Sequence, residues 1–230
     1  MNIKTSSYET RFRAEVVGPE QRLVEALFKG VQQLVFPTGA LSDSIVWAAH
    51  SPTLGAGFPD QIGLVLDSAL RSCRLTLTQD HIRVMAYLRR VSFASESTII
   101  KRIGMTDISL LLRDLEEHQI VSSRGDCFKL NRKWRRMVQG AVAVEAKVTN
   151  WRGAVRQAYR NRSFVNKSFV ALPAKLAARI CSRQEVCSAG IGVIGIDETG
   201  SLKIERCPCV RKPINWFYNF EMMRLASSYI

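Results

Sequence analysis

No cysteine in this chain belongs to a C-x-x-C pair, and its three histidines, His50, His81 and His118, stand far apart. A structural zinc site needs close pairs of such ligands, so no zinc module is expected. The six cysteines, Cys73, Cys127, Cys181, Cys187, Cys207 and Cys209, are expected to be reduced and mostly buried, as free thiols commonly are. No apolar run approaches the roughly 20 residues that span a bilayer. The first seven residues also lack the apolar stretch of a signal peptide. Neither membrane insertion nor secretion is therefore expected, and a cytoplasmic location is. Internal repeats and low-complexity segments are missing as well.

Acidic residues are scarce in one region above all. Between Cys127 and Ile180 there are 13 Lys and Arg against a single carboxylate, Glu145. The whole chain carries 33 basic and 20 acidic residues, a formal charge of +13. A surplus of that size attracts polyanions, nucleic acid before all others once a membrane is set aside. Hydrophobic residues make up 47% of the 230, enough to build a buried core.

The remaining pattern divides the chain into three stretches. Residues 1–17 have no clear period and read as a strand or a loose arm. Gly18-Pro19-Glu20 opens a helix, with Leu23, Val24, Leu27 and Val31 as its apolar stripe. Strands are expected at Ser44–Ala49 and, after Pro59-Asp60, at Gln61–Leu66. From residue 76 the period becomes helical. Thr78 caps a helix to about Arg90, a second helix runs over Ser97–Ile103 to Gly104, and a third starts at Thr106. A hairpin follows, with Ser122 to Asp126 as its turn. Helix, short helix, glycine turn, helix and hairpin is the order of a winged helix-turn-helix.

In such a unit the second helix of the motif enters the major groove. The expected DNA contacts are Thr106, Ser109 and Arg113, with Asp107 also outward, Lys101 and Arg102 ahead of them, and Arg124 at the hairpin tip. Asp114, Glu116 and Glu117 make the far end of that helix acidic, so only its first half suits DNA. The alternative for this unit is packing or protein binding.

Beyond Trp134 the chain turns to alternating strands and helices. Ala141–Val148 reads as a strand, and Thr149 or Asn150 caps a helix from Trp151 to about Arg162. A strand at Ser168–Pro173, a helix from Ala174 to about Cys181 and a hairpin at Gly192–Glu205 follow, and residues 215–230 tend to helix. In the first of these helices Arg152, Arg156 and Arg160, four apart, form an outward row suited to phosphate.

The most informative string is Val144-Glu145-Ala146-Lys147. Alternation on a strand sends Glu145 and Lys147 to one side. A carboxylate can hold a hard cation, and an ammonium beside it can orient a water or stabilise developing negative charge. An exposed ion pair at a sheet edge is the plain alternative, contributing only about 0–1 kcal/mol. With the leading helix from Gly18, Pro59-Asp60 before a strand, and Glu145-Ala146-Lys147 at a strand end, the chain resembles the PD-(D/E)XK nuclease superfamily. The resemblance covers roughly residues 18–70 and 138–206. It implies an α/β (α+β) fold, a restriction-endonuclease-like mixed sheet flanked by helices with the winged helix-turn-helix inserted. It also implies a site of Asp60, Glu145, Lys147 and Gln157, Asp60 and Glu145 holding Mg2+. Asp60 and Glu145 are 85 positions apart, a gap the insertion accounts for, and Asp67 is an alternative partner.

The expected organisation is thus residues 1–75 and 137–230 as two parts of one nuclease-like domain, with 76–136 as the inserted DNA-binding domain. Two functions fit: a Mg2+-dependent endonuclease acting on double-stranded DNA, or a transcriptional regulator on a degenerate nuclease-like core, needing no cofactor. Double-stranded DNA is the expected partner, with no membrane and a homodimer left open.

Overall fold

The computed structural model describes residues 6–11, 18, 20–27, 44–50 and 59–230. Pro19 and Val31 of the sequence reading lie outside them. The chain is a mixed α/β protein that divides into two compact units. One comprises Met1–Val65 and Gly140–Ile214, the other Leu66–Gln139 and Asn215–Ile230.

The first unit is built on a seven-stranded mixed sheet in the order β1-β2-β3-β7-β8-β9-β10. Its strands are β1 (Ser6–Arg11), β2 (Ser44–His50), β3 (Gln61–Asp67), β7 (Val138–Ala146), β8 (Lys167–Pro173), β9 (Gly192–Ile196) and β10 (Leu202–Arg206). β1 runs parallel to β2, and β7, β8 and β9 are mutually parallel, while β10 returns antiparallel to β9. Strands covered on both faces carry near-continuous apolar runs. In β7 every residue from Ala141 to Ala146 is buried.

Helix α1 (residues 21–27) seals one face: Leu23, Val24 and Leu27 pack with Val142, Val144, Ala146, Phe169 and Ala171. The other face lies under α5 (Trp151–Asn161), α6 (Ala174–Ile180) and α7 (Gln184–Ala189), where Ala154, Val155 and Ala158 meet Val170, Leu172 and Val193. α5 begins where Asn150 accepts the Gly153 N–H at 3.0 Å, an N-cap of the preferred type. At Gly192 a Cβ would stand 2.3 Å from the Phe169 ring, so only glycine allows β8 and β9 this contact. The short, polar α7 was not anticipated, because six residues give too little period to read.

The second unit has the element order α2 (Gln79–Arg90), β4 (Ala94–Ser95), α3 (Glu96–Ile103), α4 (Ser109–Glu117), β5 (Val121–Arg124), β6 (Cys127–Leu130) and, from the far end of the chain, α8 (Trp216–Ser227). The three strands form a small sheet, β4-β6-β5. Thr78 caps α2 through the His81 N–H, and α3 ends at Gly104 with φ 71°, a left-handed conformation natural to glycine. The β5–β6 turn is tighter than expected: only Gly125 and Asp126 lie between the strands, with Gly125 at φ 62°. The end of α2 is held by Arg135, whose guanidinium donates to the carbonyls of Leu88, Arg89, Val91 and Leu130.

Residues 66–75 and 215–230, assigned on sequence to the nuclease-like part, group instead with this unit. The reason for α8 is side-chain packing on α2. The Arg89 guanidinium lies 4.1 Å from the Trp216 ring centroid, and Gln79 donates to buried Glu221. Such pairings join distant segments and leave no local period. Among the described residues no helix is long and apolar enough to cross a membrane. All six cysteines are free, as expected, but none is buried, and Cys207 and Cys209 are exposed on the segment after β10.

Candidate active site

Asp60 immediately precedes β3, and Glu145 lies near the end of β7, the neighbouring strand. The fold brings these two ends together. Asp60 Oδ2 accepts the backbone N–H of Ala146 at 2.7 Å and lies 3.8 Å from the Lys147 ammonium. Gln61, the next residue, is buried and donates to the Val24 carbonyl at 3.0 Å, which fastens the start of β3 to α1.

Glu145 is 2% exposed and pairs in register with Val170 of β8. An exposed ion pair at a sheet edge is therefore overturned: this is an interior carboxylate on a central strand. Its Oε1 accepts a 2.6 Å hydrogen bond from Asn161 Nδ2 at the end of α5. Burial, and then the neighbouring charge of Asp60, push its pKa up to about 7; the Asn161 hydrogen bond, Lys147 and Arg160 pull the other way. The carboxyl therefore changes charge near neutrality, where a cation binding beside it would force the proton off.

Lys147 follows the last residue of β7 and continues the ladder, its N–H donating to the Ala171 carbonyl. Its ammonium reaches Glu20, just ahead of α1, at 3.2 Å. Burial alone would lower its pKa, but Asp60, Glu20 and Glu145 outweigh burial and hold it above the usual lysine value. Lys147 is thus a fixed cation, not a general base.

Gln157 is half-buried and makes no side-chain hydrogen bond among the described residues; Asn161, one turn on, is the amide that contacts the site. Glu20 and Asn161 were both missed on sequence. Glu20 reads as an ordinary acid at a helix start. Asn161 could have been flagged, since it continues the inner stripe of Ala154 and Ala158 with a polar side chain. Asp67 is no partner for Glu145: it sits at the opposite end of β3, its carboxylate accepting the Ala69 N–H to start a 3-10 turn.

The donors at the site are oxygens, with no histidine or cysteine beside them among the described residues. That set suits a hard cation such as Mg2+, which takes one or two carboxylates and fills its shell with water and substrate phosphate. Among the described residues no group of three or more His, Cys, Asp or Glu is gathered to hold a metal, so of these residues the Asp60–Glu145 pair is what would contribute.

Two exposed arginines extend along α5 from this site, Arg156 and Arg160. Arg152, expected in the same unpaired row, instead stacks on Trp151 and faces Glu185 at 3.6 Å.

In the second unit Lys101, Arg102, Thr106, Ser109, Arg113 and Arg124 are all exposed. α4 starts later than expected, at Ser109, because Asp107 accepts both the N–H and the hydroxyl of that residue. Thr106 and Asp107 therefore belong to the turn before the helix. The Ser109 hydroxyl also lies 2.7 Å from Glu96, which competes with any base contact. At the acidic end of α4, Asp114 faces His81 and Glu116 accepts from Ser123, so these carboxylates are engaged within the unit.

Comparison with protein-family models, curated proteins and solved structures finds no match to this chain.

Proposed function

We propose that this chain is a metal-dependent DNA endonuclease of the PD-(D/E)XK type, with a winged helix-turn-helix inserted between β3 and β7. The observation that carries this reading is the meeting of Asp60 with Glu145-Ala146-Lys147 at adjacent strand ends across 85 positions of sequence. Glu20 just ahead of α1, the neighbouring strands β3 and β7, and α5 packed on the sheet support this reading. The element order α2-β4-α3-α4-β5-β6 supports the inserted unit as a DNA reader.

Asp60 and Glu145 would hold Mg2+, and a bound Mg2+ supplies charge to stabilise a phosphoryl transition state and to acidify a bound water. Lys147, kept protonated by three carboxylates, positions the attacking water and offsets negative charge as the phosphodiester bond breaks. Arg156 and Arg160 grip phosphate along the same face, and Arg113, Arg124, Lys101 and Arg102 do so on the reader.

One observation favours a second reading, a non-catalytic regulator on a nuclease-like core. Lys147 is already engaged by Glu20, an interaction that would also stabilise an idle site. Incubation of supercoiled plasmid with the protein and Mg2+ separates the two. Nicked or linear product from the wild type, absent with Glu145→Ala and with chelator, supports the nuclease; intact plasmid bound tightly by the wild type supports the regulator.

A further inference from the structure

We infer that Asn161 is a positioning residue for the metal site: its amide holds one oxygen of Glu145 and so orients the carboxylate that would hold the cation. The inference rests on the nuclease reading above and adds a residue that the sequence motif does not contain.

The inner stripe of α5 is Ala154, Val155, Ala158 and then Asn161, all buried. A fourth apolar residue would complete the packing. An amide there, 4% exposed, is unfavourable unless its polar atoms find partners. The partner is Glu145 Oε1, which accepts from the Asn161 amide at 2.6 Å.

Both ends of that bond stand on rigid elements. The Asn161 carbonyl accepts from the N–H groups of Phe164 and Val165, which locks the end of α5. Ser168 of β8 donates to the Ala158 carbonyl at 2.8 Å, tying the helix to the sheet. Glu145 is held by the β7–β8 ladder. The hydrogen bond thus restrains the carboxylate without a new charge beside it. An arginine or lysine at this position would neutralise the ligand, and an acid would compete for the cation. Neutral donors behind metal-binding carboxylates act in this way, and their loss typically costs 10–100-fold in metal affinity.

The test uses Mn2+ as a paramagnetic stand-in for Mg2+, with binding to the 230-residue chain read by electron paramagnetic resonance and DNA cleavage read in parallel. Asn161→Leu fills the stripe without a donor; Asn161→Ala removes the donor with a side chain the helix already carries twice in that stripe. Both variants are expected to bind Mn2+ about 10–100-fold more weakly than wild type. Both are also expected to recover cleavage to within about threefold once metal saturates. Mn2+ affinity unchanged in both variants, whatever their thermal stability, would overturn the positioning role and leave the nuclease reading intact. A wild type that binds Mn2+ no better than Glu145→Ala and leaves DNA uncut would remove the nuclease reading and this inference with it.

Discussion

The carboxylate of Asp60 accepts the backbone N–H of Ala146 at 2.7 Å, a contact across 86 positions of sequence. Pairing of β3 with β7 in the sheet sets the start of one beside the end of the other, and this bond ties Asp60 to the Glu145-Ala146-Lys147 segment. The charge of Asp60 is then felt by both, raising the pKa of the acid and of the base. Two acids and a lysine crowded at adjoining strand ends are costly for folding alone, and such arrangements concentrate at functional sites.

Glu145 gives the chain a distinctive pH dependence. Its carboxyl ordinarily titrates near 4.5 and in the fold at about 7, so the fold favours the protonated form. Its contribution to stability is full below about pH 4.5 and is lost as the pH rises to about 7. Glu145→Gln, which cannot ionise, should therefore gain on the order of 3 kcal/mol on the wild type across that window. Urea denaturation without metal from pH 4.5 to 8 measures it, and parallel profiles for the two proteins would refute it. On the proposed role of Glu145 as a Mg2+ ligand, the sign should reverse for binding, with affinity rising through about pH 7 because the cation needs the ionised carboxylate.

Lys147 should matter for chemistry more than for stability. Replacing it with Met keeps the stem and removes the ammonium that faces Glu20 and Asp60. Single-turnover cleavage is expected to fall by roughly 100-fold or more, as for other groups that stabilise transition-state charge. Stability should change by less than about 1 kcal/mol, since the pair is partly exposed. A variant that cuts at the wild-type rate would take Lys147 out of the reaction.

Arg135 is the keystone of the second unit. Its guanidinium serves four carbonyls, three of them at the end of α2. Arg135→Ala should destabilise that unit by about 3 kcal/mol, because several charge-assisted hydrogen bonds go at once. A shift below about 0.5 kcal/mol in urea denaturation would show that water replaces the side chain at little cost.

DNA affinity should depend steeply on salt. Each phosphate contact lowers the slope of log K against log salt by about 0.9. Arg124→Ala and Arg156→Ala should each flatten the slope by roughly that amount and weaken all duplexes alike. Arg152→Ala should have a smaller effect, since its guanidinium is already shared between Trp151 and Glu185. Identical slopes in all three variants would place the phosphate grip elsewhere.

Local chemistry explains which parts of this molecule were legible in advance. The caps at Thr78 and Asn150, the glycine stop at Gly104 and the apolar run of β7 write their structure into a few adjacent residues. So does Glu145-Ala146-Lys147, because a strand end is itself a local feature. The rest of the site is not local. Glu20 gains its meaning only when α1 packs across the sheet and its carboxylate meets Lys147. Asn161 looks like a helix terminus until the partner beneath it is seen. Likewise α8 joins the second unit through Arg89–Trp216 and Gln79–Glu221, pairs more than a hundred residues apart. Arg152 failed as a free cation for the same reason: its acidic neighbour, Glu185, lies on a helix too short to foresee.

The sharing of one cation by Asp60 and Glu145 is tested most directly by a double-mutant cycle. Single-turnover cleavage of supercoiled plasmid would be compared for wild type, Asp60→Asn, Glu145→Gln and the double variant, all at saturating Mg2+. Residues that act as a unit lose function non-additively. Each single variant is predicted to lose at least about 1,000-fold, with almost no further loss in the double. An uncut plasmid with the wild type, or single losses that multiply in the double variant, would contradict a shared metal site.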